Sequence, residues 1–212
     1  MSHRADGTLE TVAAEARACT SCTDLPLGPR PTFRVSPAAR LLIIGQAPGT
    51  KVHATGIPWN DPSGDRLRGW LGLDRDTFYD VSRIAILPAG LCYPVRLPKG
   101  GDAPPRAICA PSWHPRLLPL MPRIRLTLLV GSYAQALALG PGTVGERVRL
   151  FAGFLPRYFP LPHPSWRTTG WERRHPWFTD AVLPALRAEL GRVLLDAEIS
   201  PSPLPAPRCH GR

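Results

Sequence analysis

Residues 40–49 read RLLIIGQAPG. Leu41 to Ile44 form an unbroken apolar run, the pattern of a strand buried on both faces of a parallel sheet. Gly45 ends the run, and Pro48 and Gly49 mark a turn. Two similar runs follow, RIAILPAG at 83–90 and IRLTLLVGS at 124–132, and a fourth strand is read near 157–161. Helices fill the intervals. DPSGDRLRGWLG starts one at Asp61 or Ser63, either of which suits a helix cap, with Leu67, Trp70 and Leu71 on its apolar face. Others are read around 106–119, in YAQALAL at 133–139, and at 177–195, where Val182, Leu183, Leu186 and Leu190 recur at helical spacing. Upstream, TLETVAAEARA at 8–18 is a short helix that delivers Cys19, and 23–38 is loop. Strand and helix in alternation predict an α/β fold. Its form is a three-layer α/β/α sandwich around a central, mostly parallel, four-stranded sheet. One domain is expected over residues 1–198, followed by a disordered Pro-rich tail at 199–212.

The chain has 212 residues, with 26 Lys+Arg against 16 Asp+Glu and a formal charge of +10. Only Lys51 and Lys99 are lysines, so the basic surface is built from arginine, which suits bidentate phosphate contacts. No apolar run approaches the roughly 20 residues needed to span a bilayer. The opening MSHRADGTLE lacks the apolar core of a secretion signal, so a cytoplasmic location is expected. The 27 prolines argue against a helical bundle and for many loops between short elements. No internal repeat is seen.

In a reducing compartment, five cysteines suggest metal binding or chemistry before disulfides. Cys19 and Cys22 form a C-x-x-C pair, and Cys92 and Cys109 lie far downstream. Four thiolates suit Zn²⁺ or an iron–sulfur cluster, and spacing does not separate the two. A redox pair and two ordinary buried cysteines also fit the same spacing. Cys209 stands apart in the tail.

Parallel sheets place their sites at the carboxyl ends of the strands. Those ends here are GQAPG, LPAGLC, VGSYAQ and LPHPSWR. Read with TGIPW at 55–59, they resemble the uracil-DNA glycosylase superfamily, most closely the branch that carries a 4Fe-4S cluster. The matching segments are Cys19-Thr-Ser-Cys22, Gly45-Gln-Ala-Pro-Gly49, Leu91-Cys92-Tyr-Pro94, Cys109 and His163-Pro-Ser165, in the same order over residues 19 to about 190. The resemblance implies a monofunctional glycosylase that hydrolyses the N-glycosidic bond of uracil, or a related deaminated base, in DNA. It implies Cys19, Cys22, Cys92 and Cys109 as cluster ligands, with zinc as the alternative. The partner is DNA, and a monomer is expected. Three positions depart from the branch. Its Glu in the first motif is Gln46, its uracil-reading Asn is Pro88, and its stacking Phe corresponds to Trp59. These departures keep open an alternative, an iron–sulfur module that recognises damaged or single-stranded DNA without turnover. A different hydrolase acting on free nucleotides is a further rival.

The chemistry assigns roles. A flipped base needs an aromatic wall, donors for its oxygens and a route for water. His163 is the candidate donor to the oxygen on which charge develops as the base leaves; its bland alternative is a loop cap. Backbone N–H groups of Gln46 and Ala47 are candidate donors to a second oxygen, unless the turn is merely structural. The Gln46 amide is a candidate to read the base or hold a water. Trp59 is the stacking candidate, with a place in the core as its alternative. Asp61 and His53 are candidates to activate water, with Asn60 as a neutral water holder. Asp61 also suits a helix N-cap, and His53 a solvated position. Ser165, Arg167, Arg173 and Arg174 are the DNA-binding candidates, Arg167 with Trp166 in the loop that wedges into the duplex in the family. A charge run is otherwise a solvated face.

Overall fold

The structure is a computed structural model that describes residues 7–98 and 100–195. The expected tail at 199–212, with Cys209, lies outside the described residues. The elements in chain order are α1 (Leu9–Arg17), β1 (Leu41–Ile44), α2 (Thr50–Thr55), α3 (Pro62–Leu71), α4 (Arg75–Tyr79), β2 (Ile84–Ile86), α5 (Cys109–Leu117), β3 (Leu126–Val130), α6 (Ser132–Leu139), α7 (Val144–Arg149), β4 (Tyr158–Leu161), α8 (Thr168–Arg174) and α9 (Leu183–Leu195). The sheet order is β2-β1-β3-β4, and every pairing is parallel. The expected mostly parallel sheet is thus wholly parallel among the described residues.

Alternation along the strands splits the core into two layers. Leu41, Ile43, Ile84, Ile86, Leu128 and Phe159 face α3, α4, α7 and α9, packing on Leu67, Trp70, Phe78, Val148 and Leu186. Leu42, Ile44, Ala85, Leu87 and Leu129 face the other way, towards Leu9, Val12 and Ala16 of α1, Leu117 of α5 and Ala134 of α6. Burial of both faces explains why the strands lack a regular alternation of polar and apolar residues. A fully buried phenylalanine such as Phe78 or Phe159 contributes about 1.5–3 kcal/mol relative to exposure.

Local chemistry sets the helix ends. Thr8 caps α1, accepting from the Thr11 N–H at 3.3 Å. Asp61, rather than Ser63, caps α3, with Pro62 in the first turn and Gly72 left-handed at the far end. Asp74 caps α4, accepting from Thr77 N–H at 2.7 Å. The expected strand at 83–90 is shorter than read. The regular strand ends at Ile86, and Pro88, which has no N–H, interrupts the bonding that follows. The final helix begins with a π-helical turn at Phe178–Val182. Four helices go beyond the sequence reading: α2, α4, α7 and α8.

Candidate active site

The carboxyl ends of β1 and β4 open onto one cavity. Its lining includes Gly45, Gln46, Ala47, Pro48 and Gly49 after β1, Trp59, Asp61 and Ser63 before and within α3, Pro88 after β2, Asp102, and His163 after β4. The β1 turn is held from behind. The carbonyls of Gly45 and Gln46 accept from Ala89 N–H at 3.0 Å and Gly90 N–H at 2.8 Å. The N–H groups of Gln46 and Ala47 find no backbone acceptor among the described residues. They remain available to an oxygen in the cavity.

Trp59 forms one wall. Its backbone is left-handed, with φ of 57°, an unusual state for a bulky residue. Several groups hold it there. The Trp59 carbonyl accepts from Arg68 Nη1 at 3.3 Å, and the Tyr79 hydroxyl donates to the Pro58 carbonyl at 2.8 Å. Arg68 is itself buried and paired with Asp65. A Cβ on Gly64 would stand 1.7 Å from the Trp59 carbonyl oxygen, so only glycine permits α3 to approach. A Cβ on Gly45 would stand 2.7 Å from the Trp59 ring, so the ring lies directly against the end of β1. The ring also packs against the core. It therefore combines both readings of this residue, a core contact and a cavity wall.

His163 faces Trp59, with ring centroids 5.8 Å apart. Its carbonyl is fixed by Ser165 N–H at 2.8 Å and by the Thr168 hydroxyl. Burial lowers the His163 pKa below its ordinary value, with the Asp61 carboxylate opposing, so the imidazole is neutral near pH 7. A neutral ring carries one N–H and can donate it to a developing oxyanion. Asp61 serves two ends at once. Its Oδ1 accepts from Gly64 N–H at 2.8 Å as the α3 cap, while the residue lines the cavity.

Other candidates sit elsewhere. Asn60 does not line the cavity; its Oδ1 accepts from Arg75 Nη2 at 3.0 Å on the outer side. His53 lies on α2, 6.0 Å from the Tyr93 ring between centroids, with a buried Nδ1 that has no hydrogen-bond partner. It too is absent from the cavity lining. The Gln46 amide is committed, donating from Nε2 to the Ala103 carbonyl at 3.0 Å. Pro88 lines the cavity, and its carbonyl is hydrogen-bonded to the buried His114 Nε2 at 3.0 Å.

The loop after His163 is tied to α3. Arg66 donates to the Ser165 carbonyl at 3.2 Å and to the Thr169 hydroxyl at 2.7 Å, and pairs with Glu172 at 2.7 Å. Trp166 is 78% exposed, more than any other large apolar side chain among the described residues. Arg167 lies over its ring at 5.5 Å and against the Gly100–Gly101 turn. Arg173 and Arg174 are exposed at the end of α8, and Arg174 Nε donates to the Gly170 carbonyl at 3.2 Å. Two residues at this site have no signal in the sequence: Arg66, an arginine like many others, and Asp102, in a Pro/Gly-rich loop.

The cysteines meet at a second pocket, which Cys19, Cys22, Cys92 and Cys109 all line together with Trp113. All four are free thiols. Burial, with the neighbouring thiols Cys109, Cys22 and Cys19 adding to it, pushes Cys92 up to about 11 against an opposing backbone hydrogen bond from Arg30. Cys109 Sγ accepts from Leu91 N–H at 3.2 Å. Among the described residues no group of three or more His, Cys, Asp or Glu is placed to hold a single metal ion. A tetrahedral zinc would need its sulfurs roughly 3.8 Å apart, from a bond length of about 2.3 Å. The four thiols nevertheless line one pocket.

These features define a basic α/β domain with a cavity walled by Trp59 and His163 at the carboxyl edge of a parallel sheet. A family model, the Uracil DNA glycosylase superfamily, matches residues 33–187, and the chain belongs to that superfamily. The match begins downstream of Cys19 and Cys22. Membership supports a glycosylase-type hydrolase that acts on DNA, and the three-layer architecture agrees with it. No helix among the described residues is long and apolar enough to cross a membrane.

Proposed function

We propose that this chain is a monofunctional glycosylase of the iron–sulfur branch that releases uracil, or a related deaminated base, from DNA and leaves an abasic site. The observation that carries this reading is the convergence of His163, Trp59, Asp61 and the Gly45–Gly49 turn on one cavity. A base turned out of the helix stacks on Trp59, a contact worth about 1–3 kcal/mol. As the C1′–N bond breaks, its electron pair passes into the base. His163 donates to the oxygen that gains charge, and the Gln46 and Ala47 N–H groups hold the other oxygen. The Asp61 carboxylate faces the cation that develops on the sugar. Water adds its oxygen to C1′ and gives up a proton to a carboxylate of the site. Exposed Trp166 fills the gap in the stack, and Arg167, Arg173 and Arg174 meet phosphates. The wedge role thus falls to Trp166, with Arg167 as its support.

The cluster part of this reading is supported by the gathering of four free thiols from distant parts of the chain around one pocket. Cys19, Cys22, Cys92 and Cys109 would hold a 4Fe-4S cluster. Hydrolysis of the base is redox-neutral, so the cluster would serve as a structural clamp between the N-terminal segment and the start of α5. The Asp24–Arg106 pair at 2.6 Å already joins the same two segments.

A second reading, DNA recognition without turnover, is favoured by Pro88, which brings no side-chain amide to the cavity. The test is base release from matched oligonucleotides carrying one uracil, hypoxanthine or xanthine, by anaerobically purified protein with its visible absorption recorded. The glycosylase reading expects release from at least one substrate and loss of roughly 10²–10³-fold in rate for His163→Ala. DNA binding with no release from any substrate would favour recognition alone. A colourless, iron-free protein would remove the cluster from the account.

A further inference from the structure

Asp102 belongs to no motif of the sequence reading, yet it reaches the cavity from the far side. It stands on a hairpin whose two arms pair at Arg96 and Asp102. Leu97 N–H donates to Gly101 at 2.8 Å, and Ala103 N–H donates to Val95 at 2.8 Å. Two residues of the site fasten the hairpin over the cavity. Gln46 Nε2 grips the Ala103 carbonyl next to Asp102, and the Arg167 guanidinium would meet a Cβ on Gly101 at 3.1 Å. The Gln46 side chain is therefore spent on the position of Asp102 rather than on a base.

The two carboxylates converge on one small space. The point where a Cβ would stand on Gly49 lies 3.4 Å from Asp102 Oδ2 and 3.9 Å from Asp61 Oδ2. Glycine leaves that point open, at the end of the turn formed by Gly45, Gln46, Ala47 and Pro48 that lines the cavity. The partners of the two carboxylates differ. Asp61 has Oδ1 committed to the Gly64 N–H. The Asp102 carboxylate accepts no hydrogen bond among the described residues. Partial loss of water around its carboxyl raises the pKa of Asp102, with Arg96 opposing and Asp61 adding to the rise. A carboxylate that accepts no hydrogen bond beside a committed one is the arrangement of a base beside a fixed charge.

We propose that Asp102 is the catalytic base, holding the attacking water over Gly49 together with Asp61 and accepting its proton. The assignment rests on the glycosylase reading above and deepens it. In the step, the water O–H bond breaks and its proton passes to Asp102 Oδ2. The water oxygen bonds to C1′, and the C1′–N pair leaves with the base. The base anion is later protonated by solvent, and Asp102 returns its proton there. Gln46 is a positioning residue, acting through Ala103. Glutamate at that position would set a carboxylate against the Ala103 carbonyl and loosen the hairpin.

The test uses the full chain in single-turnover base release, with DNA affinity measured in parallel. Asp102→Asn keeps the shape and removes the base, so the rate should fall roughly 10²–10⁴-fold with affinity within about twofold. Asp102→Ala should be similarly slow and should accelerate with added formate, a small carboxylate able to enter the vacated space. Asp102→Asn should not respond. A wild-type rate that Asp102→Asn preserves within about threefold would overturn the assignment while leaving the glycosylase reading intact. Slow variants that formate leaves unchanged would also overturn it, because they would mark a structural role. Wild-type protein that releases no base would overturn the glycosylase reading and this assignment with it.

Discussion

Neutral His163 and the pair Asp61–Asp102 give the reaction a distinctive pH dependence. Burial disfavours the imidazolium, so the His163 pKa lies below its ordinary value and the ring stays neutral through pH 7. A neutral donor needs no proton gain to act. The single-turnover rate should therefore stay flat from about pH 7 to 8.5; if an imidazolium were required, it would drop about tenfold per pH unit there. On the acid side the rate should fall as Asp102 takes up a proton, at a higher pH than for an ordinary aspartate because loss of water around its carboxyl raises its pKa. Arg96 and Asp61 face that carboxyl, and Arg167 braces its hairpin; all three set where the limb falls. A pH–rate profile checks both limbs, and a rate that declines from pH 7 upwards would refute the neutral-histidine role. At this scale the sequence was informative where a side chain follows directly from a strand end. Gln46, Ala47 and His163 sit at such ends, so their convergence could be read. Asn60 could not be placed. It follows a left-handed Trp59, and its side chain leaves for Arg75 rather than the cavity. Asp102 was invisible, because its approach to Asp61 comes from the fastening of a distant hairpin by Gln46.

At the scale of elements, the approach of α3 to the segment before it decides where Trp59 stands. Gly64 lets the helix close on the Trp59 carbonyl, and Arg68 and Tyr79 complete the grip. Gly64→Ala must push them apart. We expect a loss of about 1–3 kcal/mol in urea unfolding, and a base-release rate that falls with it as the aromatic wall shifts. Unchanged stability and rate would mean that the wall does not depend on this contact. The strands and long helices were legible for a physical reason. Runs buried on both faces are almost wholly apolar, Thr127 of β3 being the exception, and α3 and α9 are long enough to show a stripe. Helices α2, α4, α7 and α8 have five to seven residues. So short a helix presents only one or two apolar positions, too few to establish a period. The end of the strand at 83–90 was misread because its apolar character continues past Ile86, where Leu87 and Ala89 still donate to the Ile43 and Gly45 carbonyls although the regular strand has ended.

Across the whole molecule, the cavity, the exposed Trp166 and the Arg167–Arg174 stretch all follow from the carboxyl edge of the sheet, while the cysteine pocket braces the segment that leads into α5. The parallel order β2-β1-β3-β4 puts the chain reversal at β1, and the turn after β1 lies there. Trp166 is the apolar group best placed to enter a duplex. Trp166→Ala should slow release from double-stranded uracil DNA at least tenfold and release from single strands much less, because only the duplex must be unstacked. Equal losses on both substrates would assign Trp166 to general binding instead.

The central question is whether this cavity cuts a glycosidic bond. The most direct measurement is single-turnover base release by the anaerobically purified full chain from matched oligonucleotides carrying one uracil, hypoxanthine or xanthine, with His163→Ala run beside it. The account expects free base and an abasic site from at least one of them, and a rate lower by roughly 10²–10³-fold in the variant. DNA that is bound but keeps every base, or a His163→Ala protein that turns over at the wild-type rate, would contradict it.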